Sequence, residues 1–151
     1  MIQCCLITDE NEFDLFIDDV IASVGELNLS ITQRERLNGA LILNIENQPE
    51  SEFTSWSLLH FIEGLDKNNN TSFNKQILES LKSKPKVMTL LLANRIINNL
   101  SEWSADRTLF LTALKEVASN NDFDPFVRKQ AGKFYEYQIN KQVKNKYLIS
   151  K

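Results

Sequence analysis

The chain has 151 residues, of which 42% are hydrophobic and 25% are charged, values typical of one globular domain, so we predict a single domain over residues 1–151. Its only cysteines, Cys4 and Cys5, are adjacent and cannot form a spaced disulfide framework. No stretch approaches the ~20 apolar residues needed to cross a bilayer, so we expect a cytoplasmic protein without a membrane partner. The formal net charge of −3 combines thirteen acidic and two basic residues in 1–66 with seven acidic and fifteen basic residues in 67–151.

Apolar residues recur at helical spacing along the whole chain, and no segment alternates convincingly with period two. The four glycines and three prolines are few, which favours helices over the turn-rich connections of a sheet. We therefore predict an all-α chain of about seven helices. They lie at about residues 9–24, from 30 to the break at 48–49, at 55–65, 72–81, 86–100 and 104–119, and from 124 through 139 with a basic tail beyond.

The first two predicted helices each bury one face. In the first, Ile17 and Val24 belong to an apolar stripe, while Asp14 and Asp18 lie one turn apart on the outer side. In the second, a Thr at position 32 and a Glu three residues later predict a capping box over 32–35.

The third and fifth predicted helices are apolar over most of their surface, so we expect both to be well buried. Each carries a charge, Glu63 on the third and Arg95 on the fifth. Because a buried charge must be paired or strongly hydrogen-bonded, we expect these two residues to pair and to fix one helix against the other. The alternative is that one of them faces a partner.

The segment 109–134 resembles a HEAT repeat. It has an apolar first helix, a short Asn/Asp-rich turn, Asp124-Pro125 at the start of the second helix, and then Val127 and Ala131. Asp124 is placed to cap the second helix and Pro125 to preset its first turn. Residues 73–100 repeat this plan more loosely, and helix pairs at a period of about 40 residues are typical of solenoids. The resemblance implies HEAT-like antiparallel helix pairs stacked as a short α-solenoid.

A second resemblance covers residues 55–100. Ser57-Leu58-Leu59-His60-Phe61-Ile62-Glu63, Leu78-Glu79-Ser80-Leu81, Pro85 and Asn94-Arg95-Ile96-Ile97-Asn98 resemble the pattern of bacterial immunity proteins of polymorphic or contact-dependent growth inhibition toxin systems. The resemblance implies a cytoplasmic, non-enzymatic protein that binds and blocks a cognate toxin domain, commonly a nuclease.

The acidic first half predicts a basic partner, because complementary charge speeds and orients protein association. The alternative is an ordinary solvated face. Trp56, near a helix start and among acidic residues, is a candidate contact residue, although a Trp in such a position is more often part of the core. The predicted partner-binding residues are Asp14, Asp18, Asp19, Glu46, Glu50, Glu52 and Trp56.

The sequence provides no pattern for catalysis, for a cofactor or for a metal site. His60 is the only histidine, and we expect it to have a structural role. The glycines are isolated, so no phosphate-binding loop is predicted. We therefore expect a monomeric immunity protein that forms a 1:1 complex with its toxin and has no direct nucleic-acid partner.

Two alternatives remain open from the sequence alone. One is a HEAT-like adaptor that grips a peptide or another subunit. The other is a HEAT-like DNA repair enzyme, for which Lys82, Lys84, Lys86, Arg95, Arg128, Lys129 and Lys133 supply positive charge. The acidic first half argues against a long nucleic-acid track.

Overall fold

A computed structural model describes residues 10–25, 27–49, 55–66 and 71–149, and within these ranges the chain forms helices and no strand. The helices are α1 (Glu10–Gly25), α2 (Ile31–Asn47), α3 (Trp56–Leu65), α4 (Thr71–Ser83), α5 (Val87–Asn99), α6 (Ala105–Ser119) and α7 (Pro125–Ile149). The prediction of an all-helical chain with seven helices is confirmed for the described residues. The basic tail extends α7 well beyond residue 139.

Side-chain caps fix where α2 and α7 begin. The capping box of α2 is formed by Ser30 and Gln33, since Ser30 Oγ accepts from Gln33 N at 3.3 Å and Gln33 Oε1 accepts from Ser30 N at 2.9 Å. The prediction of a box over residues 32–35 is therefore wrong by two positions. At α7, Asp124 Oδ1 accepts from Phe126 N at 2.7 Å and Val127 N at 3.3 Å, which confirms the predicted cap.

The helices pack in two rows. Helices α2, α4 and α6 contact one another in order, and so do α1, α3, α5 and α7. The rows are joined where α2 packs on α3 and α5, α4 on α5, and α6 on α5 and α7. Four of these five contacts join helices that follow one another in the chain.

Helix α5 lies at the centre of this packing. It contacts α2, α3, α4, α6 and α7, and its Leu90, Leu92, Ala93 and Ile97 are at most 1% exposed. A helix that is apolar on most of its surface needs neighbours on most sides to remove that surface from water. The expectation that this helix is well buried is confirmed.

The contact between α6 and α7 combines buried apolar side chains with a buried arginine. Phe110, Leu114 and Val127 are buried, as expected from their spacing. Leu109 is 53% exposed although it is apolar, whereas Arg107 takes an inward position, at 5% exposure.

The buried Arg107 belongs to a polar network that joins α5, α6 and α7. Its Nη1 donates to the carbonyl oxygen of Ile97 at 2.8 Å, and its Nη2 donates to Gln138 Oε1 at 3.2 Å. Gln138 is fully buried, and its Nε2 donates to Asn94 Oδ1 at 2.8 Å and to Asn98 Oδ1 at 3.0 Å. Buried polar groups cost little only when their hydrogen bonds are made, so this network fixes how α7 sits on α5.

Replacing Val127 by Asp tests the register of α7. Val127 is 1% exposed, so the variant buries a carboxylate among apolar side chains. We expect a loss of unfolding free energy of roughly 3–5 kcal/mol, as for other uncompensated buried charges. Urea denaturation followed by circular dichroism measures it. Lys129→Asp, at an exposed position of the same helix, is the control and is expected to change stability by less than about 0.5 kcal/mol. Equal stability of the two variants would contradict the register.

Replacing Gln138 by Leu tests the polar network. The change keeps a side chain of similar size but removes the acceptor of Arg107 and the donor to Asn94 and Asn98. We expect a loss of about 1–3 kcal/mol, because buried polar groups are left without partners. Gln130→Leu, the same change at a half-buried position of α7, is the matched control. A Gln138→Leu variant as stable as the parent in urea denaturation would show that the network adds nothing to stability.

Candidate functional site

Three of the six predicted carboxylates, those of Asp18, Asp19 and Glu46, lie among the described side chains. Asp18 and Asp19 are exposed on α1, and Glu46 is half-buried near the end of α2. Helices α1 and α2 both pack on α3, but their described parts make no contact with each other. The other three predicted carboxylates fall outside the described side chains: Asp14, whose backbone lies in α1, and Glu50 and Glu52. The acidic patch therefore stays a prediction.

Helix α3 presents an exposed row that begins at Trp56. This residue is 56% exposed, so it is not part of the core, although that is the commoner place for a Trp at a helix start. One turn later His60 has a side chain that is 61% exposed, and the two ring centroids are 6.3 Å apart. His60 Nδ1 lies 3.5 Å from Glu63 Oε2. Residues spaced by four and three share a helix face, so these side chains form one continuous strip.

The strip continues from α3 onto α5 through an ion pair. Arg95 Nε donates to Glu63 Oε1, which confirms the predicted pairing of these two residues. The side chains remain 39% and 27% exposed, respectively. The pair thus joins two helices of the same row while both of its members stay accessible to solvent. A structural role and a place on a binding surface are compatible here.

This ion pair lies at a cleft of about 350 Å³ where α3 and α5 end and α4 and α6 begin. Apolar and charged side chains both line it. The lining residues are Glu63, Asp66, Phe73, Asn74, Arg95, Ile96, Asn99, Leu100 and Asp106. Asn74 Nδ2 donates to Asp106 Oδ2 at 3.3 Å, which orients that carboxylate. With three carboxylates and one guanidinium, the lining has a formal charge of −2.

Trp103 is the most exposed large hydrophobic residue among those described, at 86%. It lies in the short connection between Leu100 and Asp106, both of which line the cleft. The acidic residues before Trp56 made that residue the predicted contact. A signal for Trp103 was present, since it stands alone in a polar Ser-Glu-Trp-Ser connection with no apolar stripe to join.

The lysines that precede α5 contact the end of α2. Lys84 Nζ donates to Asn47 Oδ1 at 3.0 Å, and Lys86 Nζ donates to the carbonyl oxygen of Gln48 at 2.7 Å. Helix α2 has no basic residue in its own last turn, so these lysines place positive charge at its negative end. This gives two of the basic residues considered for a nucleic-acid groove a structural role.

Neither a metal cluster nor a membrane span is found in the described part of the chain. Among residues 10–25, 27–49, 55–66 and 71–149, no group of three His, Cys, Asp or Glu side chains is placed to hold a metal ion. No helix in these ranges combines the length and the apolar character needed to cross a bilayer.

Comparisons with protein-family models, with curated proteins and with solved structures found no match for this chain.

A double-mutant cycle on Glu63 and Arg95 tests whether their pair stabilises the contact of α3 with α5. The variants are Glu63→Gln, Arg95→Gln and the double change. Because both side chains are partly exposed, we expect a coupling of about 0.5–1 kcal/mol in urea denaturation. The same cycle on Lys75 and Glu79, which are 3.8 Å apart and mostly exposed on one helix, is the control, with about 0.3–0.5 kcal/mol expected. A coupling at Glu63 and Arg95 no larger than in the control would contradict a role in fixing the two helices.

Proposed function

We propose that this chain is a non-enzymatic, HEAT-like immunity protein that binds a cognate toxin domain and neutralises it. The observation that carries the proposal is the exposed strip on α3, where Trp56 lies on the surface together with His60 and the Glu63–Arg95 pair. Trp and Arg are the residue types that most often dominate the energy of protein interfaces. A large aromatic side chain that is exposed on an otherwise packed helix can bury its apolar surface against a protein partner.

The helix contacts support a HEAT-like arrangement. In a solenoid of helix pairs, each helix packs on its pair partner and on the equivalent helix of the next pair. On this proposal α2–α3, α4–α5 and α6–α7 are the pairs, and the contacts between pairs come from the two rows of alternate helices and from α2–α5 and α5–α6. Helix α1 packs on α3, so on this proposal it belongs to the row that contains α3, α5 and α7, the second helix of each pair.

The charge distribution supports a basic partner, and among toxins a nuclease domain fits best because it must attract a polyanion. Residues 1–66 carry thirteen acidic and two basic side chains. Carboxylates such as Asp18, Asp19 and Glu46 would face the basic groove of the nuclease, and the body of the solenoid would block access of its substrate. Inhibition would then combine steric occlusion with charge complementarity in a 1:1 complex.

A HEAT-like adaptor is the second candidate, and the exposed apolar side chains favour it. Trp103, Trp56 and Tyr137 are all more than half exposed, and an adaptor that grips a peptide would use them without requiring the acidic residues. The two candidates differ in how binding responds to salt and to neutralisation of the acidic residues.

Affinity capture of the tagged protein from its source cells, with mass spectrometry of the proteins that co-purify, tests the proposal. We expect one basic toxin domain, released by high salt, and we expect the purified protein to block the activity of that domain. Recovery of housekeeping subunits in a salt-resistant complex would favour the adaptor. Recovery of nucleic acid alone would overturn both and favour a repair enzyme.

Reversing the charges of Glu46, Glu50 and Glu52 to Lys tests whether these residues face the partner. We expect weaker partner binding, mainly through slower association, with a thermal midpoint close to that of the parent. The matched control reverses Glu79, Glu116 and Glu136, which are exposed on other helices and change the net charge equally. Equal affinity of the parent and the first variant would remove this patch from the interface.

A further inference from the structure

Charge is shared unevenly between the two rows of helices. In the row α2, α4 and α6, the described side chains carry formal charges of 0, +1 and 0, with histidine taken as neutral. In the row α1, α3, α5 and α7, they carry −2, −1, +1 and +3 in that order, α7 having four basic residues and one acidic residue. The second row therefore becomes steadily more positive from α1 at one end to α7 at the other.

The charges at the two ends of this row are available to a partner. Asp18 and Asp19 on α1, and Lys129 and Lys133 on α7, are exposed and enter no ion pair among the described residues. Neighbouring helix axes lie about 8–10 Å apart, so three such steps separate the two ends by roughly 24–30 Å. The Debye length in physiological salt is only ~8 Å, so the two ends cannot neutralise each other within one molecule.

The surface of this row is continuous across its last three helices. The Glu63–Arg95 pair joins α3 to α5, and Lys141 Nζ of α7 donates to Asn98 Oδ1 of α5 at 3.1 Å. Lys133 lies two turns before Lys141, and residues spaced by four share a helix face. The unpaired charge of α7 thus lies on the same side of α7 as its contact with α5.

The helices of this row also leave apolar surface in water. Leu15 on α1, Trp56 on α3 and Tyr137 on α7 are 66%, 56% and 55% exposed. On α5, Leu91 is half-buried one turn before Arg95. Aromatic residues and Arg are enriched at the centres of protein interfaces, where they exclude water around the polar contacts. Charge and apolar surface together are typical of a face that packs on another protein.

We propose that the free chain forms an antiparallel dimer through the row α1, α3, α5 and α7. A two-fold axis perpendicular to this row, between α3 and α5, places α1 of one copy on α7 of the other and α3 on α5. The charge of −2 then faces +3, and −1 faces +1, with each contact made twice. An unrelated protein would need the same charges in the reverse order, whereas a second copy carries them by symmetry. The net charge of −3 leaves only weak overall repulsion between two copies.

This inference goes beyond the proposed function and does not depend on it, because it concerns the chain without its toxin. A toxin domain that binds the exposed strip of α3 would displace the second copy and form a 1:1 complex. Self-association and toxin binding would therefore compete for the same face.

Sedimentation velocity of the full chain over a range of concentrations tests the dimer. We expect a monomer–dimer equilibrium at about 0.05 M NaCl and a dissociation constant at least about tenfold higher at about 0.5 M NaCl, because salt screens the facing charges. A chain that is monomeric at every concentration, or a dimer that salt does not weaken, would overturn the proposal.

A charge swap tests the antiparallel arrangement. One variant carries Asp18→Lys and Asp19→Lys, and the other carries Lys129→Glu and Lys133→Glu. Each variant alone brings like charges together, so we expect it to be monomeric. An equimolar mixture places the new lysines against the new glutamates and the remaining native charges against each other, so we expect it to restore the dimer. Circular dichroism confirms that each variant is folded.

Matched controls change the same net charge on the other row. Glu79→Lys with Glu116→Lys, and Lys82→Glu with Lys115→Glu, lie at exposed positions of α4 and α6. We expect both double variants to dimerise as the parent does. A mixture of the two α1 and α7 variants that stays monomeric, or a control that dissociates as they do, would contradict the proposed contact.

Two tryptophan variants test the position of the interface independently of charge. Trp56→Ala is expected to raise the dissociation constant of the dimer by about tenfold, because Trp56 lies on α3 next to the two-fold axis. Trp103→Ala, in the connection between α5 and α6, removes an even more exposed indole outside this row and should leave the dimer unchanged. The opposite result, or oligomers that grow beyond the dimer with concentration, would rule out this two-fold arrangement.

Discussion

Helix α5 must be shielded from water over most of its surface, and the packing of the molecule follows from that requirement. Leu90, Leu92 and Ile97 are almost completely buried, and each contributes roughly 1.5–3 kcal/mol on transfer from water. A single neighbour covers only one face of a helix. Helices α2, α3, α4, α6 and α7 all contact α5, and α1 is held through α3. The two rows of helices meet this constraint, because α5 lies within one row and packs against the other.

The same central helix carries the polar groups that give the structure its specificity. On one side Asn94 and Asn98 bind Gln138 of α7, which also accepts from the buried Arg107. On another side Arg95 binds Glu63 of α3 and reaches the surface at the cleft. Apolar burial alone would allow α3 and α7 to slide along α5, because hydrophobic contact is not directional. The hydrogen bonds to Gln138 fix the position of α7, and the Glu63–Arg95 pair fixes the position of α3. That pair also places charge where a partner can reach it.

Much of the fold was predictable from local pattern. The helical spacing of apolar residues located all seven described helices, and Asp124 with Pro125 located the start of α7, because capping and periodicity depend on residues within one or two turns. The pairing of Glu63 with Arg95 was also predictable, since charges on two apolar helices need partners. The inward position of Arg107 in place of Leu109 was not, because it depends on acceptors that Ile97 and Gln138 supply from two other helices.

Some features of the surface were likewise predictable from the sequence, and others depended on the packing of the helices. The sequence by itself determined that the chain is helical in its described parts and that its first half is acidic, because these follow from composition and spacing. The sequence favoured a core position for a Trp at a helix start. Trp56 is exposed instead, because α3 packs on its neighbours through a different face. The cleft depended wholly on tertiary structure. It brings together the ends of α3 and α5 with the starts of α4 and α6, and only the packing of those helices decides which carboxylates meet.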